Sequence, residues 1–460
     1  MIDFSNISHI WMIGIGGIGM SALARYFSAG GFIIGGYDRT DSSITAALKS
    51  EGIMVIYNDD PDEIPGEFLR KGKTLVIYTP AVSLQNKIPA YFRVKGFNLY
   101  KRAEILGIIS RGSRSIAIAG THGKTSVTTI AAHLLKQSTI DCTAFLGGIS
   151  KNYSTNLLTG KSNITVMEAD EFDRSFHYLN PEIGLITSMD ADHLDVYGNF
   201  DNMVQAYFEF ARKVKNNGAL ILNEKIAGGF EKPGNIKIYT YGISPSADFH
   251  SSGLSKDKEA YRFNISTPWG IIDELSLLIP GKMNIENSVG AVAIAKLAGV
   301  SDKEIRKALF YYKGVVRRFD VRISSDQLIY IDDYAHHPEE LNCCIESVRE
   351  FYGNRKLTGI FQPHLYTRTR DHADAFAAVL DKLDKAIILP VYPAREEPVE
   401  GVNAEMIYDR MKLKNKVLAE KDDLPSLLQT EKSEIVLTMG AGDIDRLVEP
   451  IETILRKQLG

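Results

Sequence analysis

Short apolar runs alternate with stretches of helical period along this chain, and polar residues gather where the runs stop. Runs at 9–13, 32–37, 53–56 and 75–78 read as strands, with helices over 20–27 and 44–49 between them. The pattern continues with a strand at 115–119 and a helix carrying Val127, Ile130, Ala131, Leu134 and Leu135 on one face. Further strands are expected at 164–167, 183–187, 220–223 and 236–241, then a hairpin of 261–265 and 271–279 across Pro268-Trp269-Gly270. A helix is expected over 288–297. Strands at 329–333, 357–361, 386–389 and 435–438 follow, with a helix opening at Pro338. Strand–helix alternation of this kind predicts an α/β protein with largely parallel sheets, whose ligands bind where the strands end.

Two strand–helix junctions are rich in glycine. At 120–125 the residues are Gly120, Thr121, His122, Gly123, Lys124 and Thr125, with Ser126 next. A strand, a tight turn and a helix turn backbone N–H groups toward a phosphate. Lys124 would reach the β- and γ-phosphates, and the Thr125 hydroxyl would meet Mg²⁺. Ile118 stands where the general pattern has its first glycine, so this is a shortened variant. At the other junction Gly14, Gly16 and Gly19 fit G-x-G-x-x-G, and Asp38 follows at about the ~20-residue spacing of a ribose-binding acid. That loop alone could serve NAD, FAD or a sugar nucleotide.

Acids and imidazoles cluster at later strand ends. Glu168, Asp170, Glu171 and Asp173 would repel one another unless a cation sits among them. His193 lies between Asp192 and Asp195, where a metal ligand or a phosphate contact is expected. Arg317-Arg318-Phe319, the run from Asp332 to Pro338, the run from Gln362 to Arg370, and Gly440 to Asp443 repeat the arrangement.

At 460 residues the chain should form about three domains. We expect them over 1–107, 108–316 and 317–460: a Rossmann-like domain, a P-loop ATPase-type mixed sheet, and a second Rossmann-like domain. A net charge of −4 argues against nucleic acid as a partner. Three cysteines, two of them adjacent, fit neither a disulfide framework nor a zinc site. The first residues lack a basic segment followed by an apolar core, and no apolar run approaches the ~18 residues that cross a bilayer. A cytoplasmic protein that does not engage membranes is expected.

The runs Gly-Ile-Gly-Gly-Ile-Gly-Met-Ser-Ala-Leu-Ala (14–24), Gly-Thr-His-Gly-Lys-Thr (120–125), Glu-Ala-Asp-Glu (168–171), His-Leu-Asp (193–195), Arg-Arg-Phe (317–319), Asp-Asp-Tyr-Ala-His-His-Pro (332–338) and Gln-Pro-His-Leu-Tyr-Thr-Arg-Thr (362–369) give the sequence its resemblance to the Mur ligase family. The resemblance covers nearly the whole chain and is strongest to the alanine-adding branch and its nearest relatives. It implies ATP-dependent joining of L-alanine to the lactyl carboxylate of UDP-N-acetylmuramate through an acyl phosphate, a step in making peptidoglycan precursors. The alternative is the relative that attaches a whole tripeptide during murein recycling.

Residue roles implied by the resemblance follow. Lys124, His193 and Arg318 act in catalysis. Gly120 to Ser126, Asn287 and Arg318 bind ATP, while Thr125, Glu168 and His193 hold Mg²⁺. Gly16, Gly17, Asp38, Ser42 and Thr79 hold the UDP moiety, Thr155 and Asn156 face the muramyl group, and Tyr334, His336 and Arg368 shape the amino-acid pocket. Arg318 would complete the site on domain closure. Met283 and Leu365 stand where relatives often carry His and Arg. No lysine lies between Asp195 and Lys213, so no carbamylated lysine is expected. A monomer or weak dimer is expected.

Overall fold

Three sheets organise the chain. The computed structural model describes residues 4–190, 194–231, 233–257, 260–394, 396–430 and 433–459. The chain packs as two compact units. The first comprises Met1–Ser255, Arg262–Ser276 and Glu286–Tyr312; the second comprises Lys256–Tyr261, Leu277–Ile285 and Lys313–Gly460.

The first sheet is built from β1 (His9–Ile13), β2 (Ile33–Tyr37), β3 (Met54–Ile56), β4 (Thr74–Tyr78) and β5 (Leu99–Lys101), in the order β3-β2-β1-β4-β5. All its pairings are parallel. Helix α1 (Ile18–Ala29) follows β1, and α2 (Ser43–Ser50) follows β2. Every residue of β1 is buried, as a central parallel strand covered on both faces requires. Helices α3 (Lys87–Val94) and α4 (Arg102–Arg111) complete this part.

The second sheet has ten strands. Its heart is β6 (Arg114–Ala119), followed by α5 (Lys124–Lys136), β7 (Thr143–Ser150), β8 (Thr155–Leu158), β9 (Ile164–Glu168) and β10 (Ile183–Ile186). β11 (Ala219–Asn223), β12 (Lys237–Gly242), β13 (Phe249–Lys256), β14 (Tyr261–Thr267) and β15 (Gly270–Leu277) extend it, giving β15-β14-β13-β12-β11-β10-β6-β9-β7-β8. β6 pairs in parallel with β9 and β10, while β7 and β8 pair antiparallel. The sequence pattern does not foretell β7 and β8, because Gly147-Gly148 interrupts β7 and glycine weakens a strand. The reason for Gly147 is tertiary: the Glu168 carboxylate fills the space a side chain there would need. One continuous core joins Ile10 and Met12 of the first sheet and Leu23 of α1 to Ala117, Met167 and Leu222 of the second sheet.

Helix α6 (Lys282–Ala298) begins six residues ahead of its expected start at Ser288. Its first turn is anchored when the Asn284 amide donates to the Pro280 carbonyl at 2.6 Å.

The third sheet, in the second unit, contains β16 (Asp320–Ser324), β17 (Ile329–Asp333), β18 (Leu357–Phe361), β19 (Lys385–Ile388), β20 (Lys416–Leu418) and β21 (Ile435–Met439), in the order β16-β17-β21-β18-β19-β20. Only β16 runs antiparallel to its neighbour. Among the described residues no helix is long and apolar enough to cross a membrane.

Candidate functional site

Strand register assembles the first glycine loop. Ile13, Tyr37 and Tyr78 lie side by side at the ends of β1, β2 and β4, so Gly14, Asp38 and Thr79 emerge together. The Gly16 N–H donates to Asp38 Oδ2 at 2.8 Å, and Thr40 N donates to Oδ1 at 3.1 Å. Thr79 packs beside Gly14. Gly17 caps α1, and Ser42 caps α2 by accepting Thr45 N at 3.3 Å. Gly16, Gly17, Asp38, Ser42 and Thr79 therefore share one edge of the first sheet. Arg102 joins them from α4: its guanidinium occupies the space a side chain at Gly19 would fill. No sequence pattern announces Arg102, because only the packing of α4 brings it to α1.

The second loop follows β6. Gly123 caps α5 with φ of +81°, a conformation that glycine adopts without strain. Lys124 Nζ donates to the carbonyl oxygens of Gly120 at 2.5 Å and Thr121 at 3.2 Å, and to Glu171 Oε1 at 2.8 Å. Burial works against this ammonium, but Glu171, with Glu168 and Asp170 behind it, outweighs burial and holds its pKa above the usual lysine value. The loop is fastened to the segment after β10: His122 N donates to Ser188 Oγ at 2.9 Å and Asp190 N to Thr121 Oγ1 at 2.9 Å. Thr125 is buried and Ser126 half-buried in the first turn of α5. Asn287 of α6 places Oδ1 against Gly123.

Three of the four acids after β9 have cations within the chain. Glu171 pairs with Lys124, Asp170 with Arg102 at 3.2 Å, and Asp173 with Lys101 at 2.8 Å. Glu168, opposite Ile118 at the end of β9, lies over Gly147. Among the described residues no three His, Cys, Asp or Glu side chains are grouped to hold a metal ion. His193 lies outside the described residues.

Thr155 and Asn156 open β8. Asn156 is completely buried, and its amide faces α1: Nδ2 donates to Ile18 O at 2.6 Å and Ser21 Oγ at 2.9 Å, while Oδ1 accepts from Arg25 at 2.5 Å.

In the second unit, β17, β21 and β18 end in register at Asp333, Met439 and Phe361. Arg317 and Phe319 adopt positive φ, and this strained turn is held from three sides. Arg317 pairs with Asp332 at 3.0 Å and donates to Gly440 O at 2.6 Å, and Phe319 N donates to Asp333 Oδ2 at 2.6 Å. Burial pushes the Asp333 carboxyl up to about 6, against the pull of Arg318. The Arg318 guanidinium lies 4.9 Å from the Tyr334 ring centre. His336 packs on Tyr334 and on His364, and Arg368 Nη1 is 3.4 Å from His364 Nδ1. Burial lowers the His336 pKa, partly offset by Glu340 at 3.2 Å. Tyr334, His336, Arg368 and Arg318 thus share one edge of the third sheet, with His364 added. Leu365 takes φ of +73° where the chain turns into the helix Tyr366–Leu380.

The descriptions of three family models match this chain: Mur ligase family, catalytic domain over 9–114; Mur ligase middle domain over 118–295; and Mur ligase, glutamate ligase domain over 317–442. The chain belongs to the Mur ligase family. Among relatives, a UDP-N-acetylmuramate–L-alanine ligase of Parabacteroides distasonis is 47% identical over 459 residues, covering 100% of this chain and 99% of that one. Its counterpart in Flavobacterium johnsoniae is 41% identical with 100% of both chains covered. The crystal structure of UDP-N-acetylmuramate-alanine ligase from Thermotoga maritima superposes with a TM-score of 0.81 at 25% identity, covering 98% of this chain and 99% of that one. A murein peptide ligase of Psychrobacter arcticus shares the fold, with a TM-score of 0.71 at 21% identity and 97% and 98% covered.

Proposed function

We propose that this Mur ligase joins L-alanine to UDP-N-acetylmuramate at the expense of ATP. The observation that carries the reading is the pair of glycine loops in one unit, only one of which holds a lysine, paired there with the buried Glu171. A carboxylate approaching a triphosphate meets strong like-charge repulsion, so catalysis consists mainly of positioning and electrostatic stabilisation. Lys124 draws charge from the β- and γ-phosphates as the lactyl carboxylate attacks the γ-phosphorus, and Arg318 supplies a second cation. ADP leaves, and an acyl phosphate remains. The alanine amino group attacks its carbonyl, and the tetrahedral intermediate expels phosphate.

Thr125 and Glu168 offer a hydroxyl and a carboxylate, hard oxygen donors that suit Mg²⁺, which screens the phosphates when bound. His193 is assigned to a second Mg²⁺. Gly16, Gly17, Asp38, Ser42 and Thr79 hold the uridine nucleotide, and Thr155 borders the muramyl group. Asn287 meets adenine. Tyr334, His336 and Arg368 shape the pocket that receives the amino acid. We assign the reaction to the cytoplasm, where ATP and nucleotide sugars are made, and to a monomer or weak dimer.

Phosphate release from ATP with UDP-N-acetylmuramate tests the reading, offering L-alanine or L-Ala-γ-D-Glu-meso-diaminopimelate in parallel. Turnover with alanine and none with the tripeptide is expected; the reverse would assign the chain to the recycling reaction.

A further inference from the structure

Helix α1 and strand β8 belong to different sheets of the first unit, yet one buried amide joins them. Asn156 Nδ2 can only donate and the Ile18 carbonyl can only accept, which fixes the orientation of the amide. The second Nδ2 hydrogen meets Ser21 Oγ, and Oδ1 takes a hydrogen from Arg25 Nη1. Arg25 is in turn clamped by Glu51, with Nε to Oε2 and Nη2 to Oε1 both at 2.8 Å. Both amide hydrogens are used inside the chain, and the residue is 0% exposed.

What lies at each end of this contact gives it meaning. Ile18 and Ser21 are in the first turn of α1, directly after the loop of Gly14, Gly16 and Gly17. Asn156 is beside Leu157, which pairs with Phe145 of β7; Phe145 pairs with Met167 of β9, and the next residue is Glu168. β9 in turn pairs with β6, which leads into the Lys124 loop. The two phosphate loops are thereby connected through one hydrogen-bonded chain.

We propose that Asn156 and Arg25 are positioning residues that set the sugar-nucleotide loop in register with the Lys124 loop, rather than contacts for the sugar nucleotide itself. This rests on the function proposed above. Attack of a carboxylate on a phosphoryl group needs reacting atoms about 3–3.5 Å apart, and an error of about 1 Å costs on the order of a hundredfold in rate. A loose amide at β8 would leave both half-sites intact and set them wrongly.

The test uses Asn156→Ala, Arg25→Ala and the double variant in the full chain. kcat and KM come from phosphate release with all three substrates. Dissociation constants for UDP-N-acetylmuramate and for ADP come from calorimetry, and Tm is recorded alongside. The wild-type arm decides the proposed function, because absence of turnover with alanine there contradicts that reading whatever the variants do. For the variants we expect kcat to fall about 10- to 100-fold, both dissociation constants to stay within threefold, and the double variant to be no slower than Asn156→Ala. Weakened sugar-nucleotide binding with kcat unchanged would return Asn156 to the role of substrate contact and overturn the inference. Wild-type kinetics in Arg25→Ala would do the same, and that variant carries the test if Asn156→Ala fails to fold.

Discussion

The two glycine loops share a design and differ in charge. Each connects a buried parallel strand to a helix, and each has an acid close by. In the first loop the acid, Asp38, accepts backbone N–H groups, and a cation, Arg102, reaches Gly19 from another helix. In the second the acid, Glu171, holds a lysine that belongs to the loop. The helices differ as well. The buried residues of α1 carry no titratable side chain, whereas α5 buries His133 between the Ala308 carbonyl and the Tyr153 hydroxyl, at 2.9 and 3.0 Å. On the function proposed above, the first loop holds the sugar nucleotide and the second brings a cation to the phosphates of ATP.

Removing the lysine separates the loops most sharply. Lys124→Ala should lower ligation at least about a thousandfold while UDP-N-acetylmuramate binds within twofold of wild type in calorimetry. Loss of sugar-nucleotide binding in that variant would erase the division of labour.

Acid should act on the helix that follows the second loop. Burial lowers the His133 pKa from 6.5 to about 4, so the unfolded chain binds the proton more readily than the folded one. The resulting stability is complete above pH 6.5 and disappears as pH falls toward 4, by about 3 kcal/mol. Denaturant titrations at pH 7 and pH 4.5 should show this slope, and His133→Gln should flatten it.

Glu171→Gln leaves Lys124 with a neutral partner. Stability should fall by about 2 kcal/mol, and ADP should raise Tm more in the variant than in wild type, because phosphate replaces the lost charge. An equal ADP shift in both proteins would show that Glu171 and phosphate do not share the lysine. The smallest effect belongs to the first loop. Asp38→Ala should raise KM for the sugar nucleotide about tenfold and leave KM for ATP alone, as loss of one charge-assisted acceptor predicts.

Both loops were legible in the sequence because their determinants are local: a strand, glycines at fixed offsets, and a helix. The residues around them were not. Glu171 stood out only as one of four clustered acids, and its pairing with Lys124 spans 47 positions. Arg102 and Arg25 look like ordinary helix-surface arginines until α4 and β8 pack against α1. β7 was hidden by Gly147-Gly148, and the purpose of Gly147 is visible only once Glu168 lies above it. In the second unit the Arg-Arg-Phe run was evident, but its positive-φ turn follows from contacts to Asp332, Asp333 and Gly440.

The most direct test of the division between a holding loop and an activating loop follows an oxygen atom. UDP-N-acetylmuramate labelled with ¹⁸O in its lactyl carboxylate is turned over with ATP and L-alanine, and the released phosphate is analysed by mass spectrometry. Activation by phosphoryl transfer predicts one ¹⁸O in each phosphate released. Unlabelled phosphate accompanying amide formation would contradict it.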